Sequence, residues 1–188
     1  MVIDAGTPPA AEAYLALCDW QLDIQLLLML PGSVTPEPPA RPLRAVGTSG
    51  DDWSDIGALF RIDHLEEDAR AGRPARPLAV TTAAVRLRRC LTPAATYFVA
   101  EERGEICGFI AAWVSEDGVG IIEDVFVRPD ARGAGLATQM LRFAVAHARS
   151  CGAGPILIGS DVDDTPKNLY ARFGFRPVTV VRSYVRPP

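Results

Sequence analysis

The chain has 188 residues, 48% of them hydrophobic, and a formal net charge of −4. That length can bury one sizeable core, so a single domain with an extension is expected, and the acidic balance argues against a nucleic-acid partner, which calls for a basic face. Four cysteines, Cys18, Cys90, Cys107 and Cys151, form no C-x-x-C pair, which speaks against a disulfide frame or a zinc site and for a reducing cytoplasm.

The N-terminus carries Asp4 and no basic leader, and the most apolar run, Ile24 to Leu30, is far too short to span a membrane. No membrane partner is expected. Pro8 to Leu30 reads as a helix with Thr7 as its cap, apolar enough to pack on the domain or on a second subunit. Residues 31–42 form a proline-rich connector. The expected organisation is therefore an N-terminal helix and connector over 1–42 and one domain over 43–188.

Within that domain, Leu43 to Val46 predicts a first strand and Asp51 to about Arg70 a helix. Gly72 to Pro77 breaks it, and Val80 to Leu91 predicts a second helix. Tyr97 to Glu101 and Ile106 to Val114 predict a hairpin around Arg103-Gly104-Glu105. The second arm alternates poorly, as expected of a strand covered on both faces. His64 and His147 fall within helical patterns, have no partners at ligand spacing, and read as structural.

Ile121 to Val127 is β-branched and strand-like, and Pro129 halts it. Arg132-Gly133-Ala134-Gly135 follows and opens a helix whose apolar stripe runs through Leu136, Met140, Phe143, Ala144 and His147. The first amides of a helix have no partner within it and welcome an anion. Gly133 and Gly135 let a phosphate approach the main chain, and Arg132 adds a charged fork suited to phosphate oxygens. Glu123 and Asp124 sit just upstream as candidate proton acceptors. As strand neighbours they are expected on opposite faces, so at most one belongs to a site. Pro155 to Ser160 predicts a buried strand, and Thr165-Pro166 a cap and first position for a short helix through Tyr170, closed by Gly174. Phe175 to Val185 reads as the last strand.

Taken in order, these pieces resemble the GNAT family of N-acetyltransferases. Arg132-x-x-Gly135-x-Ala137 is similar to its (Gln/Arg)-x-x-Gly-x-(Gly/Ala) signature, Leu169 to Phe175 to its second motif, and Glu123 to Val127 to the acidic strand of polyamine-type members. The resemblance implies an α+β fold: a mixed, mainly antiparallel twisted sheet flanked by helices, here with an N-terminal helical extension. It implies acetyl-CoA as co-substrate and no metal. Main-chain groups of Val125, Phe126 and Val127 would pair with the pantetheine arm. Arg132 and the amides of Gly133, Ala134, Gly135, Leu136, Ala137 and Thr138 would hold the diphosphate.

By the same resemblance, Glu123 would take a proton from the amine, directly or through water, and Tyr170 would protonate the leaving thiolate. The helical pair before the hairpin would cover the acceptor site. Where the family often has Asn, this chain has Asp163, whose charge turns it away from an anionic cofactor toward substrate or solvent. With Asp124 it is a candidate substrate-binding residue. The expected function is transfer of acetyl from acetyl-CoA to a primary amine of a small molecule, to which the acidic clusters would suit a cation. A homodimer in the cytoplasm is the family-based expectation. The alternative is a non-catalytic acyl-CoA-binding sensor. A dinucleotide or P-loop site lacks its glycine and lysine pattern.

Overall fold

A computed structural model describes residues 1–48, 50–92 and 94–186. Ser49, Pro93, Pro187 and Pro188 lie outside the described residues, and so do the last two positions of the expected 43–188 domain. The chain divides into two compact units, Met1–Val34 with Leu157–Pro188, and Thr35–Ile156. Helices and largely antiparallel strands make up both, giving a mixed α+β fold.

In the Thr35–Ile156 unit, strands β3 (Arg44–Ala45), β4 (Thr96–Glu102), β5 (Glu105–Val114) and β6 (Gly120–Val127) pair antiparallel in sequence order. Helices α2 (Asp52–Arg70) and α3 (Leu78–Leu91) cover one face and α4 (Leu136–Ser150) the other. The period of two sorts the side chains. Tyr97, Val99, Phe109 and Ala111 join Trp53, Ile56, Leu59 and Phe60 beneath α2. Phe98 turns the other way, edge-on to Phe143 and His147 of α4. Both faces of β5 are therefore buried, which explains its poor alternation. At Gly108 a side chain has no room: a Cβ would stand 2.8 Å from the Phe126 carbonyl oxygen and 3.1 Å from the Met140 sulfur.

The break after α2 is fastened by charge. Asp68, buried at the end of α2, accepts from the Arg76 main-chain N–H at 2.8 Å and from its guanidinium at 2.8–3.1 Å. These bonds hold the Asp68 carboxyl at about 2, below its ordinary value. His64 is likewise structural, its Nδ1 2.9 Å from the Thr81 hydroxyl, with burial keeping its pKa low.

In the other unit, β1 (Val2–Ile3), β8 (Arg176–Val185), β2 (Gln21–Leu30) and β7 (Ile156–Asp161, from Leu157 on) are neighbours in that order. Helix α1 (Pro9–Leu17) sets Leu15 against Ile3 and Tyr184 and Glu12 against Arg182 at 2.7 Å. Helix α5 spans Pro166–Phe173.

The helix expected over Pro8 to Leu30 ends at Leu17, and residues 21–30 are a strand. Gln21, Asp23 and Gln25 alternate with Leu22, Ile24 and Leu26, a period of two that the leucine run beyond them obscures. Asp19 makes the turn at φ +59°, a left-handed conformation that Asp tolerates better than most. Thr165 and Pro166 take the expected N-cap and first positions of α5, whereas Pro8 and not Thr7 stands at the cap position of α1. Thr7 instead bonds with Asp4, and Thr165 makes no side-chain cap bond to α5.

Candidate active site

Between β6 and α4 the chain makes a 3-10 turn at Pro129–Ala131 and then the glycine turn. Gly133 and Gly135 adopt φ +84° and +80°, where L side chains are strained. Nothing lies within 4 Å of a Cβ built at either, so conformation and not crowding demands glycine. Helix α4 starts at Leu136 without a side-chain cap, leaving the early amides of Leu136, Ala137 and Thr138 to an outside acceptor. Beside this start lies a cavity of about 200 Å³ lined by Ala40, Arg41, Glu102, Ala134, Leu136 and Gln139. The donor set and the open space fit a bound diphosphate.

Arg132 is engaged within the protein. Its Nε donates to the Val127 carbonyl at 2.8 Å, and its two terminal nitrogens grip Glu66 of α2 at 2.6 and 3.1 Å. The guanidinium lies 5.4 Å from the centre of the Phe126 ring. Those contacts fix the entry to the turn, so the attraction for an anion falls mainly to the helix end.

Upstream, β6 departs from a regular strand. Phe126 pairs with Phe109, but Glu123 pairs with Ala111, so Asp124 and Val125 together oppose Ile110. This is a β-bulge, and Asp124 bends it at φ +52°. Arg88 of α3 holds the Asp124 carboxylate with two bonds, 2.8 and 3.0 Å, and the Tyr97 hydroxyl donates to it at 2.5 Å. Burial and the Asp124 charge push the Tyr97 phenol well above its usual range. The expectation that Glu123 and Asp124 take opposite faces is corrected here, because the bulge breaks the alternation. Glu123 opposes Ala111, whose side chain belongs to the α2 face. Glu123 itself is exposed, and partial loss of hydration with the Asp124 charge beside it raises its carboxyl, with Arg88 opposing.

A second raised carboxyl is Asp63 on α2. Burial lifts it to about 7, helped by Glu67, Glu66 and Asp124 and resisted by Arg132. The sequence reading passed over Asp63, Arg88 and Tyr97. Asp63 left one legible signal: it lies on the stripe of Trp53, Ile56 and Phe60, where an ionisable group is out of place.

Val125 is half-buried, and Phe126 and Val127 are buried, Phe126 stacking on Phe109 at 5.7 Å. In the other unit, Tyr170 is a buried residue of α5 with its ring 6.2 Å from Phe175. Asp163 is exposed in the loop before α5, its N–H bonded to Asp161 at 3.1 Å. Among the described residues, no group of three His, Cys, Asp or Glu side chains could hold a metal, and no helix is long and apolar enough to cross a membrane.

The acetyltransferase (GNAT) family model matches residues 59–175. An uncharacterized N-acetyltransferase of Methanocaldococcus jannaschii is 31% identical over 97 residues, covering 48% of this chain and 43% of that protein. A mycothiol acetyltransferase of Cellulomonas flavigena is 28% identical, covering 97% of this chain and 56% of the relative. This chain thus spans about half the length of these relatives.

Among solved structures, a functionally unknown protein of Staphylococcus epidermidis superposes with a TM-score of 0.69 at 16% identity, over 96% of this chain and 69% of that one. A predicted acetyltransferase of Clostridium acetobutylicum, solved with acetyl-CoA, gives 0.56 at 19% identity over 73% and 90%. These likenesses are of fold. A match over more than half of the chain makes this protein a member of the GNAT acetyltransferase family.

Proposed function

We propose that the protein is an N-acetyltransferase that moves acetyl from acetyl-CoA to a primary amine of a small, cationic acceptor by direct attack. The observation that carries the reading is the succession of a bulged strand bearing Glu123, two left-handed glycines and an uncapped helix start. Acetyl-CoA supplies the activated acyl group. Amides from Gly133 to Thr138 hold its diphosphate, and the main chain of Val125 to Val127 aligns the pantetheine arm. Glu123 accepts a proton from the amine nitrogen in the course of the transfer, directly or through water. Tyr170 returns a proton to the departing thiolate.

Most of the acceleration comes from holding amine and thioester together. Asp124 serves acceptor binding indirectly, through the charge it shares with Arg88, and Asp163 contributes from its exposed loop. An amine acceptor agrees with the N-acetyltransferase name of the Methanocaldococcus relative. A homodimer in the cytoplasm is part of the same proposal. Incubation of acetyl-CoA with a varied amine panel tests it. Release of free thiol above background is expected, and none with any amine overturns it.

A further inference from the structure

The carboxylates gathered around the bulge differ in one respect. Glu66 is bound by Arg132, Glu67 and Asp68 by Arg76, and Asp124 by Arg88 and Tyr97. Asp63 on α2 and Glu123 on β6 are the two of this group that make no hydrogen bond or ion pair among the described residues, and Asp63 is the half-buried one.

Its place on α2 is well defined. One turn before it, Phe60 stacks on Phe109 at 4.5 Å and lies under the Arg88 guanidinium at 4.9 Å. One turn after it, Glu66 binds Arg132 at the mouth of the glycine turn. Residues three apart on a helix are neighbours. Asp63 therefore stands between the Arg88–Asp124 pair and Arg132, on the face of the sheet to which the bulge directs Glu123. A shielded carboxyl left without a cation is costly to ionise, and a cationic ligand would remove that cost.

We propose that Asp63 receives the ammonium group of the acceptor and takes the first of its protons. This deepens the acetyltransferase reading and rests on it. Asp63 breaks one N–H bond of R–NH3+ and holds the proton, leaving a lone pair on nitrogen. That pair forms the C–N bond at the thioester carbonyl. Glu123 takes the second proton from nitrogen as the C–S bond breaks, and the thiolate is protonated by Tyr170 or by solvent. The acceptor class that follows is an amine protonated at neutral pH, with little bulk beside its reactive nitrogen.

The experiment is calorimetric titration of spermidine into the full chain saturated with CoA, at neutral pH, comparing wild type, Asp63→Asn and Asp55→Asn. Asp55 is an exposed acid of the same helix. The expected result is at least tenfold weaker spermidine binding in Asp63→Asn and less than twofold change in Asp55→Asn, with CoA affinity equal in all three. Spermidine binding that survives Asp63→Asn, or that wild type lacks while binding CoA, overturns the role of Asp63 and leaves the acetyltransferase reading standing. Failure of wild type to bind CoA overturns both.

Discussion

The Tyr97 hydroxyl on β4 reaches the Asp124 carboxylate on β6, passing the whole width of β5 to make a 2.5 Å hydrogen bond. Ala111, the partner of both Tyr97 and Glu123 in the sheet, is small enough to let the phenol across. Together with Arg88 this bond holds a left-handed residue in the middle of a strand.

Removing either clamp tests that role. Arg88→Met leaves Asp124 shielded without its cation and is expected to cost about 3 kcal/mol. Tyr97→Phe removes one charge-assisted bond and costs about 1.5–3 kcal/mol. Urea denaturation measures both, and losses near zero would mean that the bulge holds itself.

Asp63→Asn should make the protein more stable in alkali. The native state raises the carboxyl to about 7, above an unfolded value of about 3.9, so wild type loses stability as pH rises between those values. The amide has no such loss. Thermal melts should place Asp63→Asn a few degrees above wild type at about pH 8 and level with it at about pH 4.

Asp68 has the opposite sign. Its carboxyl is held at about 2 by Arg76, so its contribution is complete above its unfolded value and is lost as pH falls from about 4 toward about 2. Asp68→Asn should flatten the acid limb of the stability curve. It should also cost roughly 3 kcal/mol at neutral pH, because Arg76 loses its buried partner and keeps only the more exposed Glu67.

Activity should rise with pH as its carboxylate bases ionise. Glu123 is raised from its ordinary value and Asp63 reaches about 7, so kcat/KM should climb through about pH 7 in wild type. In Asp63→Asn the rise should move to lower pH. Glu123→Gln and Tyr170→Phe should lower kcat by roughly 10²-fold with CoA binding unchanged, and full activity in both would favour a binding protein without turnover.

Gly135→Ala places a Cβ at φ +80°, a strain of ~1–2 kcal/mol. Because that residue shapes the α4 start, CoA affinity should fall about tenfold while circular dichroism stays unchanged. Affinity equal to wild type would move the diphosphate elsewhere.

Much of this fold was legible because its signals are local. The stripe of α4, the breaks at Gly72 and Gly104 and the glycine turn announce themselves within a few residues. Strand β2 failed as a reading because five apolar residues in a row, Leu26 to Leu30, satisfy either period. The Asp124 bulge was hidden for another reason. Arg88 lies 36 positions away in sequence, and strict alternation is the default until a distant partner overrides it. The Glu66 partner of Arg132, 66 positions upstream, was hidden in the same way.

The surplus residue in β6 acts as a frameshift for side chains. Before it, odd positions such as Ile121 and Glu123 face α2; after it, the even position Phe126 does. Paired without the bulge, the same residues would set Val125 opposite Phe109, send the Phe126 ring toward Gly108 and Met140, and leave the stack on Phe109 empty. The bulge, and not the strand's residue pattern alone, thus decides which side of the sheet receives the aromatic core and which receives the smaller Val127.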